Sequence, residues 1–314
     1  MKEKRIIKLY NELHLGDQLF NVIFFNINKN YIEENNIFIE YYCGKQYHQQ
    51  VSEFNLSKNV SILEYIPGND SGFNLWIGST EFEVNWYNKK TEYMDVFLVN
   101  FYNEFLKKQN LPISFEKLEY KDPDIQRRYE DLDIKYNSKY SNLDFLIINS
   151  TPLSNQYVKD ITKWNNFITK MNLKYNIVTS EKVNGVKCTC DDKLTVKDIQ
   201  SISAHSKKII VISSGVIPAL FNTDTLNNVE TIYSFSHVDK YSHPKFVNKE
   251  DIDELYVLIN NEESFQNMEL FSNDSSLFIF LIFLLVCSLY YNNNILNYYY
   301  RLKKYIVRPV KRKI

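Results

Sequence analysis

The sequence predicts an α/β fold with two doubly wound domains facing a cleft, followed by a hydrophobic helical tail. Three observations predict it. Short apolar runs of strand length alternate with stretches of helical periodicity, the signature of parallel βαβ units. Two of those runs, some two hundred residues apart, each lead into a polar turn carrying one of the seven glycines. Apolar content of 44% over 314 residues, with 15% aromatic, supplies material for two cores.

The elements follow in order. Arg5–Tyr10 is the first strand, and Asn11-Glu12-Leu13-His14-Leu15-Gly16-Asp17 the turn after it. Residues 17–29 form a helix with Leu19, Phe20, Ile23, Phe24 and Ile27 on one face. Ile37–Cys43 is the second strand, 44–54 a short helix and 60–65 a third strand. After the loop signal Pro67-Gly68-Asn69-Asp70-Ser71-Gly72 comes a strand at 73–77, and Gly78-Ser79-Thr80-Glu81 opens a helical region reaching Lys108. Its aromatic residues, Trp86 to Phe105, stand at helical spacing and read as core. Residues 113–141 are a charged bridge with a helix at 124–132. Strands at 144–148, 175–178, 208–212 and 229–235 then alternate with helices at 155–172 and 194–202 and a helix opened by Gly215. The division expected is 1–138, 139–262 and a tail of 263–314.

Charge excludes one class of partner. The last fourteen residues hold seven cations and no acid, which leaves residues 1–300 at about −8. A body of that sign has no general attraction for nucleic acid. Cys188-Thr189-Cys190 lacks the second pair a zinc site needs, and no disulfide framework is expected. The pairs Asp122/Asp124, Asp131/Asp133 and Asp251/Asp253 lie in charged stretches and read as solvated faces, so no metal site is expected. The nucleotide-binding glycine fingerprints, G-x-G-x-x-G and G-x-x-x-x-G-K-[ST], are absent.

Met1-Lys2-Glu3-Lys4-Arg5 leads straight into a strand and not a signal peptide, so the body is expected in the cytoplasm. From Ser275 to Tyr300 no residue is charged, and residues 277–291 are almost wholly apolar. Fifteen helical residues span about 22 Å against about 30 Å of hydrocarbon, so a crossing needs the flanking residues to 296 as well. The tyrosines at 290, 291 and 298–300 suit a headgroup belt, and the basic end suits an anionic leaflet. Residues 275–300 are therefore read as associating with a membrane, against the alternative of a helix packed on the body.

Chemistry concentrates in the two turns. Asp17 is either a simple helix cap or a general base at the mouth of the crevice, with His14 as a second titrating group and Gly16 allowing close approach. Ser213, Ser214 and Gly215 are either a serine cap or a cradle of hydroxyls and backbone donors for a diphosphate. Thr179 and Ser180 share that sheet edge, as does Asn149-Ser150-Thr151, and Lys182 is the cation near these strand ends.

The run Ile6 to Asp17, ending Leu15-Gly16-Asp17, resembles the N-terminal strand and turn of GT-B glycosyltransferases related to bacterial heptosyltransferases. Leu194–Phe235 resembles that superfamily's donor domain. The resemblance covers roughly residues 5–28 and 144–235. It implies two Rossmann-like domains and a metal-independent glycosyltransferase without a cofactor. Asp17 would deprotonate the acceptor hydroxyl, and Ser213, Ser214, Gly215, Thr179 and Ser180 would bind the nucleotide-sugar donor. The acceptor would be a glycan, a lipid-linked sugar or a protein. The chain departs from the pattern in having Ser213 where Asn or Asp is common, few basic residues near the donor turn, and a hydrophobic tail. The alternatives are a membrane-tethered, non-catalytic scaffold or interaction protein, or another small-molecule-binding α/β protein.

Overall fold

The computed structural model describes residues 3–68, 72–88, 92–136, 139–152 and 156–270. Residues Met1–Ile252 form one compact unit, which holds two parallel sheets, and Asp253–Ile314 form a second.

In the first sheet, β1 (Arg5–Asn11) pairs parallel with β2 (Ile37–Cys43), placing Ile7 opposite Ile39 and Leu9 opposite Tyr41. The inward residues Ile7, Leu9, Ile39 and Tyr41 are buried, the alternation the sequence shows. Between the strands run α1 (Leu15–Ile27) and α2 (Lys29–Glu34), and α1 buries Leu19, Phe20, Ile23 and Phe24. Helix α3 (His48–Phe54) leads to β3 (Val60–Glu64), parallel to β2, and β4 (Phe73–Asn74) pairs parallel with the far side of β1. The sheet order is therefore β3-β2-β1-β4. Order reverses between β1 and β4, which makes that junction a topological switch point.

Helix α4 (Met94–Lys108) then covers this sheet, stacking Tyr102 on Phe24 at 4.3 Å between centroids. Only its second half matches the helix expected from 78 to 108. Residues 79–88 are an irregular turn with a single 3-10 turn at Trp86–Asn88, because short polar side chains take the backbone groups a helix would use. Ser79 Oγ accepts from the Glu81 N–H, Asn85 Nδ2 donates to the Phe82 carbonyl, and Asn88 Nδ2 donates to the Glu83 carbonyl. The Glu104 carboxylate accepts from the Glu83 and Val84 N–H groups at 2.8 and 2.7 Å.

The charged bridge carries α5 (Ile125–Tyr136) and is pinned to the second half of the chain. Tyr120 exchanges backbone hydrogen bonds with Phe221 and Thr223. Asp122, expected on a solvated face, is instead buried and ion-paired with the equally buried Lys197. Burial of the ammonium lowers the pKa of Lys197, and the Asp122 charge opposes that shift.

The second sheet begins with β5 (Leu143–Ile148). After α6 (Ile161–Asn172) the chain adds β6 (Ile177–Thr179) on one side of β5, and after α7 (Val196–Ser203) it adds β7 (Ser206–Ile212) on the other. Helix α6 starts later than expected because Asp160 caps it, accepting from the Lys163 N–H at 3.0 Å. Thr195 and Asp198 form a capping box on α7. Then α8 (Thr223–Asn228), β8 (Thr231–Phe235) and the unexpected edge strand β9 (Phe246–Lys249) complete the order β6-β5-β7-β8-β9, parallel throughout. Ile209 to Ile212 are all buried, as befits a strand covered on both faces. The switch point of this sheet lies between β5 and β7.

Two further expectations are corrected. Gly215 opens no α-helix: Ile217–Leu220 is one 3-10 turn. The Ala219 carbonyl that would continue a helix accepts from Asn222 Nδ2, and the Thr223 N–H donates to the Tyr120 carbonyl instead. Cys188 and Cys190, where no disulfide framework is expected, form a disulfide.

In the second unit the described residues belong to α9 (Ile252–Leu270). Among the described residues no helix is long and apolar enough to cross a membrane. The 275–300 segment expected to do so lies outside them.

Candidate functional site

The two glycine turns meet. A Cβ on Gly16 would lie 3.3 Å from the Gly215 Cα, and one on Gly215 would lie 3.1 Å from the Leu15 Cβ and 3.2 Å from the Gly16 nitrogen. Backbone therefore touches backbone, which only residues without side chains allow. Above this contact a cavity of about 610 Å³ opens. Its walls are the loops at both switch points: His14 to Asp17 after β1, Trp76 and Ile77 after β4, Ser150 to Pro152 after β5, and Ser213 to Val216 after β7. Ligands of open α/β sheets collect at such junctions, outside the carboxyl ends of the strands.

The β1–α1 turn is held from below. Asn11 Oδ1 accepts from the Leu13 N–H at 2.9 Å. Buried Gln18 donates to the Leu13 carbonyl at 2.8 Å and accepts from the Gly44 N–H at 3.1 Å. His14, the residue before α1, stands at φ 29°, a left-handed conformation that costs on the order of 1–3 kcal/mol for a side chain with a Cβ. It is exposed on the cavity rim.

Asp17 lies in the first turn of α1 but caps nothing, since no side-chain cap bond forms there. Its Oδ2 accepts instead from the indole N–H of Trp76 at 3.2 Å. Burial of the carboxylate raises its pKa from 3.8 to about 7. The Trp76 hydrogen bond opposes that shift and the negative charge of Asp239 adds to it. A carboxyl group with that pKa accepts and returns a proton near neutrality.

On the opposite wall, Ser213 is buried, its Oγ 3.4 Å from Asp239 Oδ2. The hydroxyl of Ser214, buried at the atomic level, has no hydrogen-bond partner. Asp239 is placed by Ser236, whose Oγ accepts from the Asp239 N–H at 2.7 Å. Tyr241, buried beside it, has its phenol pushed well above the usual value by desolvation and by the Asp239 charge.

Of the residues singled out from the sequence, Asp17, His14, Gly16, Ser213, Ser214 and Gly215 line one cavity. Thr179, Ser180 and Lys182 do not line it. Thr179 is buried, bonding the Lys187 carbonyl. Ser180 stands behind the wall, bonded to Asn149 and 3.1 Å from Ser150 Oγ. Lys182 is turned to Asp191, its Nζ 2.6 and 2.8 Å from the two carboxylate oxygens. Sequence reasoning missed Trp76, Tyr87, Asp239 and Tyr241. The signal for Asp239 was available: Phe235 ends an apolar strand, and Ser236-His237-Val238-Asp239 is the polar turn after it.

Among the described residues that line the cavity there is no lysine or arginine, and the carboxylates are Asp17 and Asp239. Among the described residues no group of three or more His, Cys, Asp and Glu is arranged to hold a metal.

No protein-family model matches the chain, and no curated protein matches it in sequence. Solved structures align with it at low identity. A glycosyl transferase of family 9 from Veillonella parvula aligns at 12% identity, covering 83% of this chain and 90% of its own, with TM-score 0.49. An E. coli heptosyltransferase solved with ADP-2-deoxy-2-fluoro heptose aligns at 10% identity over 78% of this chain and 92% of its own, TM-score 0.49. E. coli ADP-heptose lps heptosyltransferase II aligns at 8% identity over 78% and 90%, TM-score 0.48.

Proposed function

We propose that this chain is a glycosyltransferase that moves a sugar from a nucleotide sugar to a hydroxyl acceptor, with each sheet as one Rossmann-like half of a GT-B-like arrangement. One observation carries the reading: the switch points of both sheets open into one cavity, and Asp17, with its pKa near 7, lines that cavity. The acceptor enters against the Asp17 wall and the donor against Ser213, Ser214 and Ser150. The acceptor oxygen attacks the anomeric carbon, its proton passes to Asp17, and the bond from that carbon to the phosphate oxygen breaks, the electron pair leaving with the nucleoside diphosphate. Ser214 offers the departing oxygen an otherwise unpaired hydroxyl. The reaction is taken to need no metal, the acceptor to be a glycan, a lipid-linked sugar or a protein, and residues 275–300 to hold a cytoplasmic body at a membrane.

A thermal-shift screen against the common nucleoside diphosphates and their sugars tests the reading, because a ligand at a hundred times its dissociation constant adds about 2.7 kcal/mol. Stabilisation by one of them, with Asp17→Asn losing transfer but keeping that shift, is the result expected. Transfer should also survive a chelator. A second reading, a non-catalytic scaffold, is favoured by the pairing of Lys182 with Asp191 and by the lack of lysine and arginine among the described lining residues. It predicts no shift with any nucleotide.

A further inference from the structure

We infer that Asn21 is a positioning residue for the Asp17 carboxyl: from within α1 it grips the backbone of Leu75 and so aims the indole of Trp76 at Asp17. The inference deepens the proposed transferase reading, on which it rests for the role of Asp17 as base. The placement itself stands on the packing behind the cavity.

Asp17 and Asn21 are four residues apart on α1 and so share one face of that helix. Asp17 lines the cavity, whereas Asn21, one turn on, is fully buried. A buried amide is costly unless its polar groups are paired, and here each of them is. Nδ2 donates to the Tyr41 hydroxyl at 2.9 Å and to the Leu75 carbonyl at 3.1 Å, while Oδ1 accepts from the Tyr102 hydroxyl at 2.9 Å. A carbonyl can only accept, so Leu75 settles which end of the amide faces it. A leucine would fill the same space but could not supply that bond.

The bond matters because β4 is two residues long and ends just before Leu75. Past its end, the Leu75 N–H donates to the Tyr10 carbonyl at 2.8 Å and the Trp76 N–H to Asn74 Oδ1 at 3.0 Å. Asn21 adds the tie to α1. The indole then follows its own backbone, since a Cβ on Gly78 would lie 2.5 Å from the Trp76 ring. Its N–H donates to Asp17 Oδ2 at 3.2 Å. Helix α1 thus holds this loop twice, by the backbone at Asn21 and by the side chain at Asp17.

The titratable groups that act on Asp17 are the Asp239 carboxylate, from the turn after β8, and the phenols of Tyr41, Tyr102 and Tyr241, while His14 lines the same cavity. Burial raises all three phenols, so they stay protonated near neutrality and Tyr102 keeps the proton it donates to Asn21.

Two NMR signals of the full-length protein read the placement: the Trp76 indole N–H and the Asp17 carboxyl carbon, identified by their loss in Trp76→Phe and Asp17→Asn. Asn21→Leu should move the indole signal toward that of an unbonded N–H. It should also raise the Asp17 midpoint by about half a unit to one unit, because the indole hydrogen bond holds that midpoint down. Tyr102→Phe removes one bond to Asn21 while its ring can still stack on Phe24, so both signals should move the same way by less, and it serves if Asn21→Leu does not fold. The deciding result is the double variant: in a Trp76→Phe background, Asn21→Leu should leave the Asp17 midpoint where Trp76→Phe alone puts it. A residue that only fills the core would lower the melting temperature and leave both signals in place. That outcome overturns the inference, as does an equal midpoint shift in both backgrounds. Coupled signals with no transfer from any nucleotide sugar keep the placement of Asn21 and end the transferase, while transfer with uncoupled signals does the reverse.

Discussion

Replacing Asp17 by Asn should stabilise this protein in alkaline solution and leave it unchanged in acid. An acid whose pKa is raised on folding binds more protons folded than unfolded between the two values. Its contribution is therefore complete below 3.8 and is lost as pH rises through about 7. Three pH units at about 1.4 kcal/mol each put the upper limit near 4 kcal/mol. Asp17 is only partly shielded from solvent, so about 1–2 kcal/mol is expected at pH 8, or a melting temperature higher by roughly 2–8 °C. Asparagine keeps the shape and the acceptor for Trp76 while removing the charge. Thermal unfolding of both proteins at pH 4, 6 and 8 reads the difference. Asp239→Asn should move the midpoint down by removing a negative neighbour, and Trp76→Phe should move it up by removing a donor to the carboxylate. Equal melting temperatures at pH 8, or a destabilised Asp17→Asn there, would refute the reasoning and with it the case for Asp17 as a base near neutrality.

Two other substitutions probe the frame around the cavity. Gly215→Ala makes Leu15 and Gly16 give way by a few tenths of an ångström, with an expected loss of about 1–3 kcal/mol in denaturant unfolding and weaker binding of any cavity ligand, whereas a surface glycine such as Gly185, which has open space around it, should show no binding effect. Asp122→Ala leaves the Lys197 ammonium buried without its partner and should cost about 3–5 kcal/mol, most of which Asp122→Leu combined with Lys197→Met should restore.

Much of the fold was legible because its signals are local. Ile37–Cys43 alternates at the period of a half-covered strand and is one, residue for residue. The helix expected at 194–202 is α7, with its start set by the Thr195–Asp198 capping box. The failures share a cause. Residues 79–88 read as the start of a long helix, yet Ser79, Asn85 and Asn88 take local backbone bonds and Glu104, from a helix distant in sequence, completes them. Gly215 looked like a helix opener until Asn222 and Tyr120 claimed the groups a helix would have used. Asp122 looked solvated because its neighbours are charged, and nothing local marks Lys197 as its buried partner.

The sequence alone determined the alternation of strands and helices, the two glycine turns and the polar residues in them, since propensity, periodicity and turn chemistry act over a few neighbours. Tertiary structure alone decided that the turns touch at Gly16 and Gly215, that Trp76 rather than a cap engages Asp17, and that Asp239 joins them while Lys182 does not. The physical reason is range. Contacts between residues 59 to some 220 apart exist only after strand order has been chosen, and the raised pKa of Asp17 comes from burial that no stretch of sequence contains.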